Sequence, residues 1–196
     1  MSDLLLEKIF PTLDGLLAMG EDAHVEIIDG AIKEMAAAGG IHHIIIMNFI
    51  RPLDRYVQSN DMGSVFSDGL TYLMWSPAGR LKDSFVPDLS FVRSKNIPSN
   101  WDIEKPHPGV PDLAVEVVSP GDDAEDLQTK RKTYLEKGTE QVWIAYPRLR
   151  EVHQYTREGY HVYSGSHTID AEALFPNIEG LTLDAIFALP KWAVKD

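Results

Sequence analysis

The stretch that predicts the fold runs from Pro111 to Trp143 and reads PDLAVEVVSPGDDAEDLQTKRKTYLEKGTEQVW. Its first part, Leu113 to Ser119, is short and rich in β-branched residues, and Pro120 and Gly121 end it, which is typical of a buried strand. An acidic run then opens a helix that ends near Gly138, and a second apolar segment follows. The stretch therefore predicts a strand, a helix and a strand in succession.

Glu116 lies in the middle of this predicted core strand. A buried carboxylate that has no partner tends to take a proton rather than stay ionised, so a charged residue here needs an explanation. The strand alone leaves two explanations open. Glu116 could bind a metal ion, or it could lie on a solvent-facing side or in a structural ion pair.

A second short apolar segment runs from Ser84 to Val92 and carries Asp88 directly after Pro87. Strand alternation gives Asp88 and Glu116 each a defined face of their strands, so the two carboxylates can converge if the strands are neighbours. Two converging carboxylates repel each other unless a cation lies between them. Oxygen ligands suit Mg²⁺ or Mn²⁺, and the pair therefore indicates a divalent-metal site.

Lys130 belongs to the face of the predicted helix that should pack on the sheet. Leu127, Lys130 and Tyr134 share one helical stripe, whereas Lys132 points well away from it. A lysine in such a position either extends its ammonium group to water or brings it to a polar site. The two nearby carboxylates favour the polar site.

Several motifs together resemble one known family. They are Pro87-Asp88, Pro111-Asp112-Leu113, Glu116-Val117-Val118-Ser119-Pro120, Asp126-Leu127 with Lys130 and Tyr134, and Gly138 with Val142-Trp143-Ile144. At these positions the chain resembles the Uma-two family of endonucleases, in the superfamily named for its PD-(D/E)-x-K motif. The resemblance covers about Glu26 to Phe187. It implies an α/β fold with a restriction-endonuclease-like mixed β-sheet core flanked by helices, an N-terminal helix and hairpin, and a C-terminal hairpin extension.

The resemblance also implies a function and a set of site residues. The expected activity is Mg²⁺-dependent (or Mn²⁺-dependent) hydrolysis of phosphodiester bonds in nucleic acid, with DNA as the expected substrate. Asp88 and Glu116 would hold the ion, together with the Val117 carbonyl, and Lys130 would help to activate the attacking water or to hold the phosphate. In the commoner motif the lysine lies two residues after the acid, where this chain has Val118. The family pattern takes it from the following helix, which is Lys130.

The bulk composition predicts one soluble domain. A chain of 196 residues with 44% hydrophobic residues suits a single domain over residues 1–196, with its restriction-endonuclease-like core at about 42–146. The sequence has no cysteine, which fits a reducing compartment. It shows neither a signal peptide nor an apolar run long enough to cross a membrane, so we expect a cytoplasmic protein with no membrane contact.

The net charge of -12 limits the way in which nucleic acid can bind. Proteins bind duplex DNA chiefly by neutralising phosphates, and a chain with 30 acidic and 18 basic residues has no overall basic surface. Any contact with nucleic acid must therefore be local. The acidity also supports an alternative function, a non-catalytic binding or assembly module that retains the nuclease fold.

Glu26 and His42 are two further polar residues whose positions are informative. Glu26 lies in a predicted hairpin around Asp29-Gly30, and a cross-strand pair with Lys33 is favoured over a place in the site. His42 opens a predicted helix that runs to about Gln58. Contact with backbone or with a partner subunit is favoured there over metal binding, and His42 is not counted as catalytic.

Two other polar residues have simpler interpretations. Asp112 shares a strand face with Glu116, but it lies four steps of roughly 3.3 Å each away along the strand, which places it at the rim. Trp101 lies in a long loop between Arg93 and Pro111, where packing over the domain is favoured over stacking on a base.

The protein is expected to form a homodimer. Tyr155, Tyr160 and Tyr163 alternate in a predicted C-terminal hairpin and could line a dimer face. A cross-strand ladder within one chain is the plainer account of the same pattern.

Overall fold

The computed structural model describes residues 11–19, 25–75 and 80–193 as two β-sheets flanked by helices. The described helices are α1 (Leu13–Leu17), α2 (Gly40–Ser59), α3 (Ala124–Lys137) and α4 (Leu183–Ile186), with 3-10 turns at Ser94–Asn96 and Lys191–Ala193. The strands are β1 (Val25–Ile28), β2 (Ala31–Glu34), β3 (Gly63–Ser67), β4 (Tyr72–Trp75), β5 (Leu81–Phe85), β6 (Leu89–Arg93), β7 (His107–Pro108), β8 (Leu113–Val117), β9 (Gln141–Tyr146), β10 (Glu151–Tyr155) and β11 (Tyr160–Tyr163).

The larger sheet contains six strands in the order β11-β10-β9-β8-β6-β3, and β8 and β9 form its parallel pair. The smaller sheet contains five strands in the order β2-β1-β5-β4-β7. The strand, helix and strand predicted at the centre of the sequence are β8, α3 and β9, and the C-terminal hairpin extends the larger sheet as expected. These observations confirm the predicted mixed sheet with helices on its faces.

Two predicted strands are wrong in extent, because each is split between the two sheets. The segment from Ser84 to Val92 ends one strand at Phe85 and starts another at Leu89. Pro87 has no N–H to donate to a ladder, so it interrupts the pairing. The alternation from Ser64 to Trp75 likewise predicts one strand, which the structure divides into β3 and β4. Gly69, with φ of 110°, forms the turn between them.

Helix α2 covers one face of the larger sheet. Ile45, Phe49, Leu53 and Val57 recur every four residues and are all buried, which gives the helix one continuous apolar stripe. The Phe49 ring lies 6.1 Å from the ring of Trp143 in β9. The helix predicted from His42 to Gln58 is therefore confirmed, and it accommodates Pro52 in its interior.

Helix α3 covers the opposite face of the same sheet. Asp123 caps its N-terminus by accepting hydrogen bonds from the backbone N–H groups of Glu125 and Asp126. Gly138 ends it with φ of 126°, a conformation that strongly favours glycine. Lys130 and Tyr134 are buried on the sheet side, so the predicted stripe faces the core.

The C-terminal hairpin separates the three tyrosines that could have lined a dimer face. Tyr163 is buried in the main core and donates a hydrogen bond from its hydroxyl to the Gln154 side chain at 2.9 Å, so it cannot line a surface. Tyr155 and Tyr160 are directly opposed across β10 and β11, and their rings stack at 5.8 Å. The stacked pair agrees with the cross-strand ladder within one chain. The homodimer stays a prediction.

The apolar pattern within Asp3 to Gly20 predicts one or two short helices interrupted at Pro11. The structure shows α1 after that proline, and residues 1–10 and Gly20 lie outside the described residues. The sequence Ser76-Pro77-Ala78-Gly79 predicts a turn, and these residues also lie outside the described ones. Among the described residues, no helix has the length and apolar character needed to cross a membrane.

The long loop between Arg93 and Pro111 packs on the domain through Trp101 and His107. The Trp101 indole N–H donates to the Lys105 and Pro106 carbonyls at 3.0 and 3.2 Å. Its ring lies 4.8 Å from the ring of His107, which in turn lies 5.1 Å from the ring of Tyr72. This arrangement agrees with the packing interpretation of Trp101.

His107 is expected to weaken the fold at acidic pH. It is buried, and burial lowers the pKa of its imidazole, although the charge of Asp112 opposes the shift. The unfolded chain therefore takes up a proton near pH 6.5 while the folded chain does not. The stability that His107 contributes is full above that pH and is lost as the pH falls through the lowered value, by up to about 1.4 kcal/mol per pH unit.

Urea unfolding between pH 7.5 and 5 measures this effect. We expect His107→Phe, which keeps an aromatic ring but cannot titrate, to show a shallower loss of stability in acid than the natural protein. His161→Phe, at an exposed position of β11, serves as the control and should keep the natural slope. Equal slopes for His107→Phe and the natural protein would contradict the assignment.

Candidate active site

The register between β6 and β8 brings the two predicted acids together. Leu89 is paired with Val115 in this antiparallel ladder, so the next positions outward are Asp88 and Glu116. Asp88 precedes β6 at the point where the chain leaves the smaller sheet, and its Oδ2 accepts the Val117 backbone N–H at 2.6 Å. The convergence expected from strand alternation is therefore present in the structure.

Lys130 reaches Glu116 from helix α3. Its Nζ donates a hydrogen bond to Glu116 Oε2 at 3.0 Å, and Glu116 Oε1 lies 3.0 Å from the same nitrogen. Nζ also lies 2.8 Å from Oε1 of Glu26 and 5.9 Å from the centre of the Phe85 ring. The structure thus places Asp88, Glu116 and Lys130 around one site, and their catalytic and metal-binding roles stay a prediction.

Glu26 belongs to this site, which the sequence interpretation did not favour. It is opposite Lys33 in the β1–β2 ladder, as predicted. Its side chain instead pairs with Lys130 and accepts the Val86 backbone N–H at 2.8 Å, while Lys33 pairs with Asp126 at 3.0 Å. The predicted side-chain pair is therefore wrong. The Glu26 carboxylate pairs with Lys130 because water screens its attraction to this buried ammonium less than its attraction to the exposed Lys33.

His42 also faces the site, and the interpretation that placed it against backbone or a partner subunit is wrong. Its Nε2 lies 3.1 Å from Asp88 Oδ1, and its Nδ1 lies 3.0 Å from Ser119 Oγ. The sequence carried a signal for this, because His42 falls on the same helical stripe as Ile45 and Phe49. Ser119, at the end of the β8 segment, had no signal beyond its place beside Pro120.

Asp112 lies outside the cleft and has a structural contact network of its own. It accepts hydrogen bonds from the Arg93 backbone N–H at 2.8 Å, the Arg93 guanidinium at 3.0 Å and the Asn96 amide at 2.7 Å. Arg93 also pairs with Glu140. Asp112 therefore fixes the loop that follows β6 and takes no part in the site.

The site opens into a cleft of about 500 Å³ between the two sheets and helix α3. The acidic residues that line it are Glu26, Glu34, Asp68, Asp88, Glu116, Asp122, Asp123 and Asp126. Lys33 and Lys130 are the lysines that line it. A phosphate group that enters the cleft therefore meets a negative potential unless cations accompany it.

Burial and the close approach of several charged groups shift the pKa values of Glu116, Lys130 and His42. Burial raises the pKa of Glu116 to about 8, and the charges of Asp88 and Glu26 add to the shift while Lys130 opposes it. Burial alone would lower the pKa of Lys130, but Glu116 and Glu26 outweigh it and raise that pKa. For His42, the hydrogen bond and the charge of Asp88 likewise outweigh burial, and the pKa is raised. The site therefore retains its ammonium group and tends to hold a further proton on Glu116.

The donor atoms of the site fit a hard divalent cation. Glu116 Oε1 is buried and, apart from its ion pair with the Lys130 ammonium at 3.0 Å, accepts no hydrogen bond within the described part of the chain. Asp88 offers a second carboxylate at the same cleft. Across residues 11–19, 25–75 and 80–193, no three His, Cys, Asp or Glu side chains converge as a ready ligand cage. Mg²⁺ does not need such a cage, because it commonly binds through one or two carboxylates and completes its shell with water and substrate phosphate.

Comparisons with known proteins point to nucleases. The family model described as "Uma2: Putative restriction endonuclease" matches residues 10–185. The fold is similar to the crystal structure of a putative nuclease belonging to DUF820 from Anabaena variabilis ATCC 29413, with a TM-score of 0.76 and 20% sequence identity. That match covers 90% of this chain and 97% of the other chain. No curated protein matches the sequence.

Proposed function

This chain belongs to the Uma2 family, and we propose that it is a Mg²⁺- or Mn²⁺-dependent endonuclease that hydrolyses phosphodiester bonds of DNA. The proposal is carried by the meeting of Glu116, Lys130 and Asp88 in one buried cleft. Glu116 and Lys130 are in contact at 3.0 Å, and Asp88 lies opposite Glu116 across the ladder. A purely structural ion pair would not need the second acid or the opening to solvent.

Asp88 and Glu116 are the residues that would hold the ion, together with the Val117 carbonyl. When bound, such an ion lowers the pKa of an attacking water and neutralises charge that develops on the phosphate. The buried Oε1 of Glu116 accepts no hydrogen bond among the described residues, although the Lys130 ammonium lies 3.0 Å from it, so this oxygen would have to turn from the ammonium to bind the ion. Because the pKa of Glu116 is raised, binding of the ion would displace a proton from this carboxyl group.

Lys130 would supply a fixed positive charge next to the reacting group. Its stem crosses the apolar surface of the sheet, and only its ammonium group reaches the polar site. Three N–H donors are available on that group, and Glu116 and Glu26 engage two of them. The third can hold a non-bridging phosphate oxygen or orient the attacking water, which is the electrostatic stabilisation that phosphoryl chemistry requires.

Glu26 would act on the reaction only through Lys130. It lies in the smaller sheet, contacts the ammonium at 2.8 Å and is itself fixed by the Val86 N–H. Both carboxylates raise the pKa of Lys130, and Glu26 would remain in contact with the ammonium if Glu116 took a proton or bound the ion.

A cleavage assay tests the proposed function. Supercoiled plasmid and single-stranded DNA are incubated with the protein and millimolar Mg²⁺ or Mn²⁺. We expect strand cleavage that disappears with EDTA and falls by roughly 100-fold or more in Asp88→Asn, because the ion loses a carboxylate ligand. Asp54→Asn, at a position of α2 where the carboxylate contacts only Gln58 among the described residues, is the matched control and should cleave normally.

The negative outcomes distinguish the alternatives. Titration calorimetry with Mn²⁺ on the natural protein and Asp88→Asn shows whether binding depends on the carboxylate. If Mn²⁺ binding depends on the carboxylate but neither DNA nor RNA is cleaved, the metal site stands and the proposed substrate changes from DNA to another phosphodiester. The absence of carboxylate-dependent binding would favour the non-catalytic module.

A further inference from the structure

Two hydrogen bonds from different parts of the fold hold the Asp88 carboxylate. Its Oδ2 accepts the Val117 N–H of β8 at 2.6 Å, and its Oδ1 lies 3.1 Å from Nε2 of His42 in α2. A carboxylate oxygen can accept two bonds, so each oxygen of Asp88 keeps capacity for a cation. The two bonds therefore fix the plane of the carboxylate and leave it able to bind a metal ion.

The His42 ring is oriented by Ser119. Nδ1 of the ring lies 3.0 Å from Ser119 Oγ, and both residues are more than nine-tenths buried. An ionised Asp88 can only accept, so Nε2 must carry the hydrogen that faces it. Nδ1 then accepts from the Ser119 hydroxyl in the neutral ring and donates to it in the charged ring. Because the hydroxyl can act in either direction, the geometry persists in both protonation states.

Ser119 is itself anchored in the turn that joins β8 to α3. Its backbone N–H donates to Asp122 Oδ2 at 2.7 Å. A continuous chain of contacts thus runs from this turn through His42 in α2 to Asp88 between the two sheets. Three elements that are distant in sequence determine the direction in which one carboxylate points.

We propose that His42, oriented by Ser119, is a positioning residue that holds the Asp88 carboxylate in the orientation in which it binds a divalent ion. This inference rests on the proposed function, because it assigns Asp88 to the metal. Residues that hydrogen-bond to metal ligands typically change metal affinity by about 10- to 100-fold when they are replaced. His42 has this relation to Asp88, and Ser119 has it to His42.

The test is Mn²⁺ binding by titration calorimetry at a single pH on the full-length protein. We expect His42→Phe, which keeps a ring but cannot donate, to weaken binding by roughly 10- to 100-fold. His42→Gln, which can still donate an amide N–H, should recover part of that loss. Ser119→Ala should weaken binding by up to about tenfold, and it should add nothing when His42→Phe is already present.

The controls separate this proposal from the proposed function. If the natural protein shows no Asp88-dependent Mn²⁺ binding, the proposed metal site itself fails. If the natural protein binds Mn²⁺ and folded His42→Phe binds it equally well, only the role of His42 is overturned. His161→Phe, at an exposed position of β11 that does not line the cleft, should bind as the natural protein does. If His42→Phe does not fold, Ser119→Ala decides the test, and an unchanged affinity in that variant overturns the proposal.

Discussion

Replacing Lys130 with methionine is expected to abolish most metal-dependent cleavage and to destabilise the fold. Loss of the ammonium removes electrostatic stabilisation from the reacting phosphate, which typically lowers a rate by roughly 100- to 1,000-fold. It also leaves the Glu26 carboxylate buried without its cation, and it removes from Glu116 the ammonium that opposes the rise of its pKa. Breaking a buried ion pair by removing one partner typically destabilises a protein by about 3–5 kcal/mol.

A second substitution separates these two effects. Glu26→Gln added to Lys130→Met removes one of the uncompensated charges, so urea unfolding should show partial recovery of stability while cleavage stays low. Lys132→Met is the matched control on the same helix. The Lys132 side chain is 71% exposed, and its contact with Glu136 is a distant one at 3.8 Å. Both cleavage and the stability to urea should therefore be unchanged in Lys132→Met. Normal cleavage by Lys130→Met would remove this residue from the mechanism.

Replacing Glu116 with glutamine is expected to have opposite effects on function and on stability. The variant loses a metal ligand, so Mn²⁺ binding and cleavage should fall by at least about 100-fold. The metal-free variant should nevertheless unfold at higher urea concentration than the natural protein in alkaline buffer. The reason is that the folded protein raises the pKa of Glu116 from its ordinary 4.5 to about 8, so ionisation opposes folding.

The sign of this pH dependence is fixed by the direction of the shift. A carboxyl group whose pKa is raised in the folded state contributes its full stability below pH 4.5 and loses it as the pH rises to about 8. The loss is up to about 1.4 kcal/mol per pH unit. In EDTA, the advantage of Glu116→Gln over the natural protein should therefore grow from pH 6 to pH 8.5. Glu158→Gln in the exposed β10–β11 turn should show no such trend, and a constant difference for Glu116→Gln would contradict the account.

The sequence predicted those parts of the site that depend on local periodicity. Strand alternation placed Asp88 and Glu116 on converging faces, and helical spacing turned Lys130 towards the sheet. Both rules need only neighbouring residues. The register that makes Asp88 and Glu116 neighbours depends on how distant strands pair, so local periodicity could only assume it.

The missed residues have partners that are far away along the chain. Glu26 meets Lys130 across 104 positions of sequence, and His42 meets Asp88 and Ser119 across 46 and 77 positions. No local pattern encodes such contacts. The division into two sheets was missed for a related reason. The apolar pattern from Ser84 to Val92 predicts one continuous strand, whereas Pro87 within it lies where the chain changes from one sheet to the other.

Because the chain changes sheets at this point, the site is built from residues of both sheets and of helix α3. Glu26 belongs to the smaller sheet, Glu116 belongs to the larger one, and Lys130 joins them from a helix that packs on both. A slight slip of one layer against the other would separate these groups while each layer kept its own ladder of hydrogen bonds. The proposed cleavage activity should therefore be lost at milder denaturing conditions than regular secondary structure.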